Sequence, residues 1–317
     1  MGIRTPVASV RAVVFPNGAH IVRFGKLELD NFVNIRTRGI NPNTSRQIRR
    51  ITELIWERCE GTFSQQTLTA LGDYYLTRYA SQSQREKCFN YTRAFMNYLY
   101  KTTMDNTLLM FLALFEKPKY RKERKLLTSR IIVQEDIATV LVSIQADKWL
   151  RVMDKLNYQA MILFLAYSGQ RPLTGERITA GQFREAFAKE PHVLTVEASQ
   201  DKIRLEHYVP LHPDLLPYLR VLIIKRQDAE KVFDYLGLQR WLRYNPVTLT
   251  HTKGKLELKD LRKFFEQKSD EIGFNDANKN FIMSHGVSSI NWTSYKQFLP
   301  ENVYVRYMNC WKDVNLI

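Results

Sequence analysis

From residue 44 to residue 116 the apolar positions recur at intervals of three and four. Ile48, Ile51 and Ile55 share one helical face in a stretch that ends near Cys59, with Thr44 or Ser45 placed to cap it. Leu68, Leu71, Tyr75 and Tyr79 mark a helix over about 64–80, and Phe89, Phe95, Met96 and Leu99 another over 83–101. A further apolar stretch runs from Leu108 to Phe115. No fixed-period self-similarity links these segments, so the pattern predicts a bundle and not a repeat array. Upstream the period changes. Val10 to Phe15 and His20 to Phe24 are short apolar runs around Pro16-Asn17-Gly18-Ala19, which predicts a β-hairpin. Pro42 and Asn43 read as closing that segment, which sets residues 1–43 apart.

A second unit begins near Ile131. Helical periodicity covers 134–145 and 150–167, two strand-like runs occupy His192–Glu197 and Ile203–Pro210, and Leu211 to Tyr218 opens another helix. Later helices are expected over 259–271 and 303–311. The class is therefore mainly α with a small antiparallel β-sheet (α+β), in three segments: 1–43, 44–125 and 126–317.

Between the units lies Lys117-Pro-Lys-Tyr-Arg-Lys-Glu-Arg-Lys-Leu-Leu-Thr-Ser-Arg130, with seven basic residues and one acid. Such a run has too few apolar groups to build a core. It reads as a solvated linker or as a strap along a phosphate backbone, and the rest of the chain favours the strap, through Lys117, Lys119, Arg121, Lys122, Arg124, Lys125 and Arg130.

Charge narrows the choice of partner. Lys and Arg total 47 against 32 acids, a net charge of +15 with a pI near 9.7. That balance favours a polyanion, because each phosphate neutralised releases condensed counterions. It says nothing about chemistry. Hydrophobic content of 44% excludes a disordered basic tail. The longest apolar run, around Ala160–Tyr167, is too short to cross a bilayer. Cys59, Cys88 and Cys310 have no paired spacing, so neither a disulfide framework nor a zinc site is expected. The expected compartment is a reducing cytoplasm.

The candidate chemistry is a set of residues that carry little individually. Arg171 follows Ser168-Gly169 at the end of an apolar helix. It is either an ordinary surface residue or an arginine fixed by a turn for a planar grip on phosphate oxygens. Lys202 sits between the two strand-like runs, where a hairpin-tip lysine is commonly just solvated. Lys259 and Arg262 stand three apart on one helix, so both can point to one face, which is also the pattern of a solvated basic face. His285 follows Phe281-Ile282-Met283 and reads equally as a helix-end histidine. Tyr295 is one of 16 tyrosines, and a phenol attacks poorly unless nearby cations favour its phenolate.

In order and spacing this set resembles the tyrosine recombinases, or phage-type integrases, most closely those of archaeal viruses and plasmids. Tyr167-Ser-Gly-Gln-Arg171-Pro172 is similar to the family's first arginine box. Val193–Val196, Lys202 and Tyr208-Val-Pro-Leu-His-Pro-Asp214 are similar to its lysine hairpin. Lys259-Asp-Leu-Arg262 resembles the second arginine box, and Ser284-His285-Gly286 through Tyr295 the box ending in the nucleophile. Thr174 stands where a glutamate is usual, with Glu176 nearby; the step from His285 to Tyr295 is one residue longer than the commonest bacterial spacing.

The resemblance implies that 44–125 is a DNA-binding domain and 126–317 a catalytic domain. It implies a 3′-phosphotyrosyl intermediate on Tyr295, a phosphate clamp of Arg171 and Arg262, Lys202 as general acid, and Lys259 and His285 in support. It further implies no cofactor and no metal. The implied partners are double-stranded DNA attachment sites, a homotetramer built through the C-terminal helix, and host or viral DNA-bending proteins. The implied task is to integrate or excise a viral or plasmid genome. Val303, Tyr307 and Trp311 form one stripe on that last helix, expected to dock on another protomer. A DNA-binding protein without strand chemistry and a type IB topoisomerase-like enzyme are the alternatives.

Overall fold

The computed structural model describes residues 12–14, 20–118, 130–285 and 298–317. Its chain divides into two units, Met1–Glu123 and Arg124–Ile317.

In the first unit, β1 (Ala12–Val14) pairs antiparallel with β2 (His20–Arg23), Ala12 opposite Val22, and β2 pairs in turn with β3 (Thr62–Phe63). Five helices follow or interleave: α1 (Lys26–Thr37), α2 (Pro42–Cys59), α3 (Gln65–Arg78), α4 (Gln82–Thr103) and α5 (Thr107–Leu114). The separation expected at residue 43 is not present. Val22, Phe24, Leu29, Phe32 and Val33 share one core with Ile48, Ile51, Ile55 and Phe95, and the Phe24 ring lies 4.5 Å from that of Phe63. Pro42 opens a helix here and ends nothing. A proline is tolerated at the first helical position because its missing N–H would have no intrahelical partner there. The cap is Asn41, whose side chain accepts from the Asn43 N–H at 2.9 Å, and not Thr44 or Ser45.

The second unit is built around α7 (Val152–Ser168), whose residues Ala160 to Ser168 are all buried. Helix α7 is covered by α6 (Gln134–Ala146), α10 (Leu216–Ile223) and α12 (Leu258–Glu271). Strands β4 (Val193–Val196) and β5 (His207–Pro210) pair antiparallel, with Val193 opposite Pro210. The helices α8 (Pro172–Arg177), α9 (Ala180–Phe187), α11 (Tyr235–Tyr244), α13 (Asp276–Ile282) and α14 (Pro300–Trp311) complete it. Among the described residues no helix is long and apolar enough to cross a membrane.

Helix α14 overturns one expectation. Val303, Tyr307 and Trp311, expected to dock on another protomer, are fully buried in their own unit. The Tyr307 hydroxyl donates to the Tyr167 carbonyl at 2.9 Å, and the Trp311 ring stacks on Phe265 at 4.8 Å. The tail continues inward: Val314 and Leu316 are buried, and the Leu316 N–H donates to the Tyr167 hydroxyl. The physical reason is complementarity close at hand. Large aromatic groups at intervals of four find Tyr167, Phe264 and Phe265 on the helices they already pack against.

Candidate active site

Gly169 ends α7 in the left-handed region, at φ +62°, with its N–H on the Leu165 carbonyl. A Cβ at this position would lie 2.5 Å from Phe265 Cδ1, so only glycine fits. The chain then turns through Gln170 to Arg171, which precedes the first residue of α8, Pro172. Thus the turn read from Ser168-Gly169 does fix where Arg171 emerges.

Three consecutive carbonyls organise the site. Gln170 Nε2 donates to the Ile282 carbonyl. Arg262 Nη1, from α12, donates to the Met283 carbonyl at 2.8 Å and to the Gly169 carbonyl at 2.7 Å. Both terminal nitrogens of Arg171 reach the Ser284 carbonyl at 3.4 Å. Ser284 has φ +51°, rare for a residue with a side chain, and His285 follows it, exposed. The two arginines are therefore held against successive peptide groups just ahead of His285.

Asp201 joins these parts to the β4–β5 connection. Its side chain is fully buried, and Arg171 Nη1 donates to Oδ1 at 2.9 Å. The Ser284 hydroxyl donates to Oδ2 at 2.7 Å, and the Ile203 N–H donates to the same oxygen at 2.9 Å. Burial pushes the Asp201 pKa up. The bonds from Ser284 and Ile203 and the charges of Arg171 and His207 outweigh it, holding the carboxyl below its ordinary value. Burial depresses His207 below its ordinary value, and its Nε2 faces Gln170 Oε1 at 3.2 Å.

Arg262 is lowered to about 10, first by burial and then by the charge of Arg171. It stays cationic at neutral pH, and its Nη2 has no hydrogen-bond partner among the described residues. Two neighbouring guanidinium groups that raise each other's energy form a site that an anion would stabilise.

Of the residues expected in the site, Arg171 and Arg262 converge on the carbonyls just before His285, whose own side chain is exposed, and Lys202 lies next to Asp201 on the exposed turn. Lys259 is exposed. Its ammonium pairs with Glu257 at 2.6 Å on the open start of α12. Tyr295 lies outside the described residues, as do Lys119, Arg121, Lys122, Arg124 and Lys125. Lys117 pairs with Glu86 at 3.2 Å. Arg130, expected on a phosphate, is held by Asp260 at 2.8 Å and by Glu257 at 3.2 Å. Two carboxylates at the start of α12 attract it more directly than any surface role requires. Order along the chain does not mark Gln170, Asp201, His207 and Ser284 as site-forming residues. Their proximity is tertiary, and only the adjacency of Asp201 to Lys202 hints at it.

The fold is one seen in DNA integrases. The structure of a lambda integrase tetramer bound to a Holliday junction matches with a TM-score of 0.57 at 14% identity, over 86% of this chain and 79% of that one. The lambda integrase fragment of residues 75–356 bound to DNA matches at 0.57 and 13%, over 91% and 98%. The Tn1549 transposon integrase in complex with transposon right-end DNA matches at 0.54 and 11%, over 89% and 98%. At such identities the likeness is one of fold. No family model matches the sequence. No curated protein matches it either.

Proposed function

We propose that the protein is a tyrosine site-specific recombinase, which cleaves and rejoins double-stranded DNA at attachment sites to integrate or excise a viral or plasmid genome. The observation that carries this reading is the placement of Arg262 and Arg171 on the successive carbonyls of Met283 and Ser284, immediately before His285. The integrase fold agrees with it.

In this reading the Tyr295 phenolate oxygen attacks the scissile phosphorus. A phosphorus–oxygen bond to tyrosine forms, the bond to the 5′ oxygen breaks, and Lys202 gives that oxygen its proton. Arg171 and Arg262 neutralise the non-bridging oxygens as charge develops, and His285 contacts the same phosphate. A 5′-hydroxyl from the partner duplex reverses the step, with the bond energy kept in the covalent intermediate. Removing a charged clamp of this kind costs on the order of 10³–10⁵ in rate. Lys259, on the exposed start of α12, acts only after leaving Glu257 for the DNA. The working assembly is a homotetramer on two sites. Its contacts come from surfaces other than the Val303, Tyr307 and Trp311 stripe, and DNA-bending proteins assist.

The test is covalent capture. The full chain is incubated with a pool of nicked random duplexes, denatured, and the adducts are mapped by mass spectrometry. The expected adduct is on Tyr295 and is lost in Tyr295→Phe. Retained DNA binding with no adduct at all would leave a DNA-binding protein without strand chemistry.

A further inference from the structure

The carboxylate of Asp201 touches all three segments of the site. Through Oδ1 it fixes Arg171, and the Thr174 hydroxyl lies 3.4 Å from the same oxygen. Through Oδ2 it holds Ser284, whose carbonyl in turn faces Arg171. Also through Oδ2 it accepts the Ile203 N–H, while its own carbonyl accepts the Arg204 N–H at 3.2 Å. The turn carrying Lys202 is thereby closed around Asp201 from both sides.

Two backbone positions adjoin this residue, Ser284 through the carboxylate and Arg204 through the main-chain carbonyl. Ser284 at φ +51° and Arg204 at φ +58° occupy the left-handed region, which residues with a side chain rarely adopt. Each is one hydrogen bond away from Asp201. The carboxylate also offsets the mutual repulsion of Arg171 and Arg262 before any phosphate arrives. Thr174, three residues after Arg171, brings no carboxylate of its own; Asp201 brings one from the hairpin.

Building on the recombinase reading, we propose that Asp201 is the positioning residue of this centre, its carboxylate keeping Arg171, the Lys202 turn and the Ser284–His285 turn in mutual register. It touches no substrate. Its effect is on the rate of strand cleavage and not on the affinity for duplex, because the carboxylate is fully buried and presents no surface to DNA.

The test uses the full chain and a nicked duplex that the wild type has been shown to cleave, so failure of the wild type to form any adduct speaks against the recombinase reading alone. Asp201→Asn keeps size and shape, and its single-turnover cleavage should fall on the order of 10²-fold, as for a site loosened by about an ångström, with duplex affinity unchanged. On a duplex whose scissile 5′ oxygen is replaced by sulfur, which leaves without a proton, that deficit should shrink, since the share of the loss routed through Lys202 no longer counts. Wild-type cleavage by Asp201→Asn, or an equal loss on both substrates, overturns the proposal. Should Asp201→Asn not fold by thermal melting, Ser284→Ala decides. It removes one bond to the carboxylate and should slow cleavage several-fold, by the same loosening on a smaller scale. A wild-type rate in it overturns the proposal.

Discussion

A guanidinium taken out of water needs replacements for its lost hydration, and Arg262 obtains two of them from the carbonyls of Gly169 and Met283. That dependence makes Gly169 a sensitive position. Alanine there meets both the left-handed penalty, about 1–2 kcal/mol, and overlap with Phe265. Gly169→Ala should lower the melting temperature of the second unit, and the shift of the Gly169 carbonyl should reduce cleavage as well. A melt indistinguishable from wild type would contradict the packing described. The buried histidines give a second residue-scale prediction. Burial depresses both His207 and His212, the latter against the opposing charge of Asp214. The unfolded chain therefore binds their protons more readily than the fold does. Their contribution is complete above the ordinary value of 6.5 and is lost as the pH falls below it, through the folded values. Asp201, also depressed, acts in a separate window below the ordinary carboxyl value of 3.8. Denaturant unfolding between pH 8 and pH 5 should show stability falling below about pH 6.5, and His207→Gln should flatten part of the fall. A profile level down to pH 5 would rule this out.

At the scale of elements, the long amphipathic helices are legible because apolar groups spaced by three and four over many residues line up on one face only in a helix. The expected 83–101 is observed as Gln82–Thr103, and 259–271 as Leu258–Glu271. The elements that sequence does not show are short or weakly patterned. Helix α1 hides Leu29, Phe32 and Val33 in a polar stretch, and α8 and α9 run for only six and eight residues. The second strand is shorter than expected because the turn around Asp201 claims Ile203 to Glu206. In the candidate site, the two arginines can be picked out by order along the chain. The buried carboxylate between them cannot, since an aspartate at a hairpin tip has the same sequence signature whether solvated or enclosed. Helix α14 shows the complementary limit: periodicity locates its buried face but not what buries it. With Trp311 stacked on Phe265 and fully enclosed, Trp311→Ala should cost about 3–5 kcal/mol. Deleting residues 300–317 should leave the second unit unable to fold cooperatively, read by loss of its melting transition. A truncated chain that melts like the full one would mean the helix is dispensable to its own unit.

For the molecule as a whole, the excess of positive charge is not one resource but several, distinguished by what each cation already touches. Arg130 belongs to the second unit's structure, enclosed by Asp260 and Glu257. Lys117 is paired with Glu86 in the first unit. Arg171 and Arg262 are committed to the site. The run from Lys119 to Lys125 lies outside the described residues, yet it holds five cations against one acid, Glu123. Counterion release makes the distinction measurable, because each phosphate contact adds about 0.9 to the slope of log affinity against log salt concentration. Neutralising Lys119, Arg121, Lys122 and Arg124 to glutamine should weaken binding to all duplex sequences alike and flatten that slope by up to about 3.6, four contacts at 0.9 each. Arg130→Gln should do the reverse. It leaves Asp260 buried without its cation, so the second unit should melt earlier while the salt slope stays at the wild-type value. Equal slopes in the wild type and the quadruple variant would remove the run from the DNA-binding surface. A flattened slope in Arg130→Gln would show that this arginine leaves its carboxylates for phosphate when DNA binds.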